Sequence, residues 1–247
     1  MLDFIANQLR KKGINPAKAK MPNHIAMTVG GLNRWSRKSG EDLKEAHKRA
    51  FKKVEEIIRY QLCFDIPIIT LYLIDSKIRQ KKDFLETMDA LAEFFKELLH
   101  NEDIFRSKIK VSILGKWYDL PSRVVEPIKR LIDETKDYDS FFLNICINYD
   151  GKEEIVDACR IIVRKALIEK MSVDSIDSEM MKDNIYSSYF LPPDMIIKTG
   201  TGRRLHGFLL WDSPHSVIHF SSVLWNEFGE KDFIRAVKYY QDVKNRQ

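Results

Sequence analysis

Residues 24–37 read HIAMTVGGLNRWSR. An apolar run, HIAMTV, meets Gly30 and Gly31, and Asn33 and Arg34 then open a basic segment rich in helix formers. A strand feeding a glycine turn at a helix start presents free backbone N–H groups and the positive end of the helix dipole, a natural place to hold a phosphate. Arg34 adds a charge-assisted contact that can be bidentate. A diphosphate site built on Mg²⁺ wants a carboxylate at this point, and the segment has none. A second pattern of chemical interest comes late. His215 and His219 stand four apart, with His206 and Asp212 near them in sequence. On a helix, two histidines at that spacing share a face and can grip one transition metal. The spacing is common by chance, and Pro214 disturbs the helix start. Cys63, Cys146 and Cys159 form no CxxC pair; Cys63 and Cys146 sit in apolar contexts that read as strand or strand edge, and all three read as buried free thiols of a reducing compartment.

These residues need elements to position them. With 247 residues, 44% of them hydrophobic, and few Pro or Gly, the chain has the composition of one large globular domain. Forty-one Lys+Arg against 36 Asp+Glu leave a net charge of +5. That excess suits anionic ligands and is too small and dispersed to argue for nucleic acid. The longest apolar run, IPIITLYLI (66–74), is about half of what a membrane-spanning helix needs. No signal peptide pattern opens the sequence, so a soluble, cytoplasmic protein is expected, with peripheral contact to a membrane surface left open.

HIAMTV (24–29), IPIITLYLI (66–74), IKVSILG (109–115), FFLNICINY (141–149) and DMIIKT (194–199) read as strands, most of them apolar throughout as in sheets covered on both faces. Residues 41–61, 84–99 and 151–170 follow a helical period, the last with carboxylates in its first turn. Strand and helix alternating in this way predict an α/β fold, a mainly parallel central sheet flanked by helices, in a single domain over 1–247. Residues 1–21 read as an N-terminal helical extension, packed on its own domain or a partner, or lying on a membrane surface. Ligands of open α/β sheets bind at the carboxyl ends of strands. The loops at 30–35 and 200–207 both fall at that end.

Taken together, the motifs resemble those of the cis-prenyltransferase family, the undecaprenyl and dehydrodolichyl diphosphate synthases. HIAMTVGGLNRWS is similar to the family's HVAIIMDGNxRWA, LYLI (71–74) to its LYAF, and GKWYDLP (115–121) to its GD…LP segment. LNICINYDGKEEIVDA (143–158) resembles LNIAxNYGGRxEIVDA, DMIIKTGTGRRLHGFLLWD (194–212) resembles DLxIRTxGExRLSNFLLWQ, and LWNEF (224–228) resembles LWPDF. The blocks come in family order. The resemblance implies an enzyme that binds an allylic diphosphate beside isopentenyl diphosphate and joins them through a new carbon–carbon bond. The growing chain would lie in a hydrophobic tunnel whose wall includes the helix at 84–99, a face that also reads as ordinary core. It implies Gly31, Asn33 and Arg34 at the first diphosphate and His47 near the allylic one, with Arg34 and His47 as the catalytic candidates. Lys81, Lys198, Arg204 and His206 complete the diphosphate-binding set; without the resemblance, the late block reads as a Gly-rich turn with solvated basic residues. It further implies a homodimer.

The departures are grouped. The family's metal-binding Asp aligns with Gly30 and its second metal carboxylate, a Glu, with Val217; Asp75 is the remaining candidate ligand, and Mg²⁺ is an open question. Lys198 replaces an Arg, Lys81 another, and His206 a Ser. Three functions therefore stand as expectations: an atypical prenyltransferase, with altered regiochemistry or chain length left open; a non-catalytic subunit that heterodimerises with an active paralogue; and a lyase or cyclase acting on one prenyl diphosphate.

Overall fold

Strands that are apolar on both faces need cover on both sides, and the computed structural model, which describes residues 21–246, supplies it. The strands are β1 (His24–Thr28), β2 (Ile68–Tyr72), β3 (Ile109–Leu114), β4 (Phe141–Cys146), β5 (Met195–Lys198) and β6 (Val217–Phe220). They form one sheet in the order β3-β4-β2-β1-β5-β6, and every pairing is parallel. The helices are α1 (Leu32–Ser39), α2 (Leu43–Cys63), α3 (Phe84–Leu98), α4 (Glu102–Arg106), α5 (Ser122–Thr135), α6 (Gly151–Glu169), α7 (Ser178–Asn184) and α8 (Glu230–Asn245). The α/β expectation holds.

Side chains alternate across each strand, so β1 sends Ile25 and Met27 to one face and Ala26 to the other. The first face is deep. Val54, Ile57 and Ile58 of α2, Met88, Leu91 and Phe95 of α3, Val124 and Ile128 of α5 and Phe233 and Val237 of α8 pack there as one core. The second face is thinner, closed by Tyr149, Phe190, Phe208 and Leu209. Helix α6 buries only Gly151, Glu154, Ala158 and Ile162 of its nineteen residues.

Four expectations need correction. Residues 215–219 are not helical: Val217–Phe220 is the sixth strand, its register set by pairing with Met195–Lys198. His219 therefore pairs with Ile197 and packs its ring on Tyr239, while Asp212 is ion-paired to Lys182, so the proposed histidine metal site does not assemble. Cys63 is the last residue of α2 and not a strand residue, because the helical period begun at Leu43 runs through it. Only Cys146 is buried; Cys63 is half-buried and Cys159 exposed on α6. The proposed extension at 1–21 lies, apart from Met21, outside the described residues.

Candidate functional site

In this strand order β1 is the switch point: the chain moves from it to β2 on one side, and β5 lies on the other. Parallel sheets open a crevice there, at the carboxyl ends of the strands. Three loops are laced together at its floor. Gly30 N–H donates to Thr199 Oγ1 at 3.1 Å, and the Thr199 hydroxyl donates to the Thr28 carbonyl at 2.6 Å. Trp225 N–H donates to the Gly30 carbonyl at 3.0 Å, and Gly200 N–H to that of Val223 at 2.7 Å. Gly31 caps α1 with φ of 90°, where a side chain would be strained and its Cβ would lie 2.6 Å from Leu224 Cδ2.

Two cavities adjoin over this floor. The first, about 450 Å³, lies between β1, β2 and the turn at 205–207, and takes the side chains of Lys77, Lys152, Lys198 and His206 together with Asp75 and Asp150. The second, about 480 Å³, lies over the start of α1 and is lined by Gly31, Asn33, His47, Lys81, Lys82 and Asp83 among others. Val29, Leu73 and Asp75 belong to both walls. Five lysines, two histidines and a phosphate-type turn thus face two spaces separated by one thin partition.

The expected site residues divide between these spaces. Gly31, Asn33, His47 and Lys81 line the second, and Lys198 and His206 the first. Arg34 and Arg204 line neither. The Arg34 guanidinium donates instead to the Thr201 hydroxyl, bridging the 30s and 200s loops. Val217 opens β6 at the far end of the strand, paired with Met195. Lys77, Lys82 and Lys152 were missed; each follows closely on the carboxyl end of β2 or β4, and that placement is the signal that finds them.

His47 is buried on α2, and its Nε2–H faces Asp83 Oδ2 at 3.1 Å. Burial is the main influence and lowers its pKa below the ordinary histidine value, against the pull of Asp83. The neutral ring then keeps a lone pair on Nδ1, which has no partner among the described residues. Lys198 is almost fully buried and donates to the Thr199 carbonyl at 3.0 Å. Burial lowers its pKa, and no carboxylate among the described residues pairs with it.

The carboxylates in the cavities are committed elsewhere. Asp75 caps the 3-10 turn at Ser76–Gln80, accepting from Lys77 N–H at 3.0 Å, and pairs with Lys81 Nζ at 2.9 Å. Asp150 caps α6, accepting from Lys152 N–H at 2.8 Å. No group of three His, Cys, Asp or Glu side chains is gathered as a metal site among the described residues. The residues present do not fit a protein-held Mg²⁺. The helix face expected to wall a tunnel packs into the main core through Met88, Leu91, Phe95 and Leu98. Beside it, Phe51 of α2 stacks on Phe94 of α3 with centroids 5.3 Å apart, and the two rings line a cavity of about 230 Å³ between these helices.

The turn at 205–212 that carries His206 is anchored from α6 and α7. Gly151 N–H donates to the Gly207 carbonyl at 3.1 Å. The buried Glu154 accepts from the Tyr149 hydroxyl at 2.5 Å and from Ser187 N–H at 3.2 Å. Lys182 donates to both oxygens of Asp212, at 2.9 and 3.0 Å.

Residues 29–247 match the family described as "Putative undecaprenyl diphosphate synthase". A tritrans,polycis-undecaprenyl-diphosphate synthase (geranylgeranyl-diphosphate specific) of Thermoplasma acidophilum is 33% identical, over 93% of this chain and 90% of that protein. Isoprenyl transferase 1 of Corynebacterium efficiens is 31% identical, over 92% of this chain and 90% of its own length. Among solved structures, lavandulyl diphosphate synthase of Lavandula x intermedia, in complex with dimethylallyl diphosphate, has the same fold. Its TM-score is 0.84 at 22% identity, covering 90% of this chain and 95% of that one.

Proposed function

This chain belongs to the undecaprenyl diphosphate synthase family, the cis-prenyltransferases, and from that premise we propose that it binds an allylic prenyl diphosphate beside isopentenyl diphosphate and joins them. The observation that carries the reading is the pair of adjoining basic cavities at the switch point, divided only by Val29, Leu73 and Asp75. The allylic diphosphate takes the cavity of Gly31, Asn33 and His47. The isopentenyl diphosphate takes that of Lys198 and His206. In the reaction the allylic carbon–oxygen bond breaks and its electron pair leaves with the diphosphate. The alkene of the second substrate forms the new carbon–carbon bond, and a proton is lost. Lys81 and Lys82 lie where they neutralise the leaving diphosphate, and Arg34 fixes the two loops against each other. The names of the archaeal relatives support geranylgeranyl diphosphate as the allylic substrate.

One observation favours a second reading, a subunit that supports an active paralogue. Phe51 and Phe94 stack between α2 and α3 and leave there a cavity of about 230 Å³ rimmed by Lys48, Lys52, Glu93 and Glu97, a small and charged space for a lengthening chain. Either reading calls for a dimer, and α6 offers a surface for it. Val156, Val163, Leu167 and Ile168 are exposed on that helix, the last two by 76% and 81%, and Val173 follows them. No helix among the described residues is long and apolar enough to cross a membrane.

The test is mass spectrometry of products from isopentenyl diphosphate with dimethylallyl, farnesyl or geranylgeranyl diphosphate. The chain is assayed alone and with a paralogous family member. Condensation by the chain alone supports the first reading. Product only with the paralogue present, at a rate above that of the paralogue alone, supports the second.

A further inference from the structure

The first cavity contains an ammonium group that no carboxylate among the described residues neutralises. Lys198 ends β5, 6% exposed, and spends one of its three N–H donors on the Thr199 carbonyl. A buried cation without a counter-charge is costly, and such a group is retained where an anion completes it. Lys77 and Lys152, on the walls of the same cavity, have no carboxylate either, but both are exposed to solvent, whereas three other lysines at this end of the sheet are ion-paired. Lys81 has Asp75, Lys116 has Glu153 and Asp157, and Lys182 has Asp212.

Position 30 explains where the ammonium comes to rest. A Cβ on Gly30 would lie 2.2 Å from the Thr199 carbonyl oxygen and 2.9 Å from Lys198 Nζ. Backbone hydrogen bonds from Trp225 and to Thr199 hold Gly30 in place, so it cannot withdraw. An aspartate at 30 would have to displace the Thr199 backbone and the Lys198 ammonium. The space beside its would-be side chain is taken by a positive charge, which also repels a divalent cation.

Resting on the prenyl diphosphate reading above, we propose that Lys198 is the fixed cation of the diphosphate site, standing in the crevice where a carboxylate-held metal would otherwise be, so that this chain binds diphosphate without a divalent metal. Gly30 and Lys198 form one unit: the missing Cβ makes room for the ammonium, and the ammonium supplies the positive charge. Lys77, Lys152 and His206, on the walls of the same cavity, add to a site that is basic without metal. Burial, which lowers the Lys198 pKa, makes its charge easier to satisfy with an anion than to leave bare.

The test is isothermal titration of the full chain with inorganic pyrophosphate, and with geranylgeranyl diphosphate, in EDTA and in Mg²⁺ at matched free ligand. The proposal expects dissociation constants in the two conditions within about threefold. It expects Lys198→Met to weaken binding at least tenfold, as loss of a charge-assisted contact does, and Lys198→Arg to retain most of it. Circular dichroism and melting establish that each variant is folded; should Lys198→Met not fold, the EDTA comparison on the unmodified chain decides by itself. Binding seen only with Mg²⁺, no binding in either condition, or full affinity in a folded Lys198→Met overturns the proposal. Binding in EDTA without any condensation product, alone or with a paralogue, upholds it while the prenyltransferase reading fails. Product formation with binding that needs Mg²⁺ does the reverse.

Discussion

Lys182, in the corner between α6 and α7, and Lys198, at the end of β5, both carry an ammonium toward the interior, in opposite company. Lys182 holds both oxygens of Asp212 and also donates to the Ser187 carbonyl at 2.8 Å. Asp212 in turn accepts from the Ser187 hydroxyl at 2.5 Å. That corner is electrically closed and holds the 205–212 turn against α7 and the segment that follows it. Lys198 is more deeply buried and touches only a backbone carbonyl. The first arrangement is complete as folded. On the proposal above, the second is completed by an anion, so that a charge the chain has neutralised belongs to the scaffold and one it has buried without a carboxylate belongs to the proposed site.

Opposite signs of response to substitution follow. Asp212→Ala removes the acceptor that Lys182 and Ser187 share, and the stranded groups should cost about 3 kcal/mol of stability, read by urea unfolding. Little or no loss would mean the corner is not closed in the sense argued.

His24 sharpens the contrast as a buried group kept neutral. Its Nδ1–H donates to the Leu191 carbonyl at 2.6 Å, and Nε2 accepts from the Thr70 hydroxyl at 2.7 Å, which itself accepts from Asn144. Burial, against the pull of the Leu191 carbonyl and Asp194, lowers its pKa from 6.5 to about 4. Above pH 6.5 the ring is neutral in both folded and unfolded chains. Below it the unfolded chain takes up the proton and the folded one does not, so stability falls as pH drops from 6.5 to about 4. The loss is about 3 kcal/mol over that window, at 1.36 kcal/mol per pKa unit. Unfolding measured across pH should show this slope in the unmodified chain and its reduction in His24→Gln.

Gly30→Ala should cost about 2 kcal/mol, because its Cβ meets backbone and not a side chain able to move aside. A melting temperature unchanged from the parent would show that the crevice floor yields. Lys198→Met, of similar length and without charge, should stabilise the free protein by about 1 kcal/mol while abolishing the stabilisation that added pyrophosphate confers. Thermal melts with and without pyrophosphate measure both halves. At the bottom of the scale, Lys81→Ala breaks an ion pair whose two side chains are each more than 40% exposed, and should shift stability by less than about 0.5 kcal/mol.

Much of the architecture is legible in the sequence because the burial pattern is written locally. β1, β2, β3, β4 and β5 are apolar runs, and Gly30-Gly31 after the first announces the turn that opens α1 beneath a cavity. β6 is not legible. Its four residues, VIHF, follow a proline, are only partly buried, and include a histidine whose spacing from His215 imitates a helix. Their strand state comes from pairing with β5, a long-range contact that no local pattern encodes. The site is legible in its parts and not in its assembly. Gly31, Asn33, His47, Lys81, Lys198 and His206 line the two cavities. Arg34 does not, because its guanidinium finds Thr201, 167 residues away. That Lys198 is the buried, unpaired cation depends on the missing Cβ across the crevice at Gly30, and no single segment contains both.

On the proposed function, two diphosphates sit side by side at the β1–β5 switch point. Native mass spectrometry of the purified chain, with isopentenyl diphosphate and an unreactive thio analogue of geranylgeranyl diphosphate, tests it directly. The account predicts one of each ligand per protomer, bound together. Only one ligand per protomer at saturating concentrations of both, each displacing the other, would contradict it.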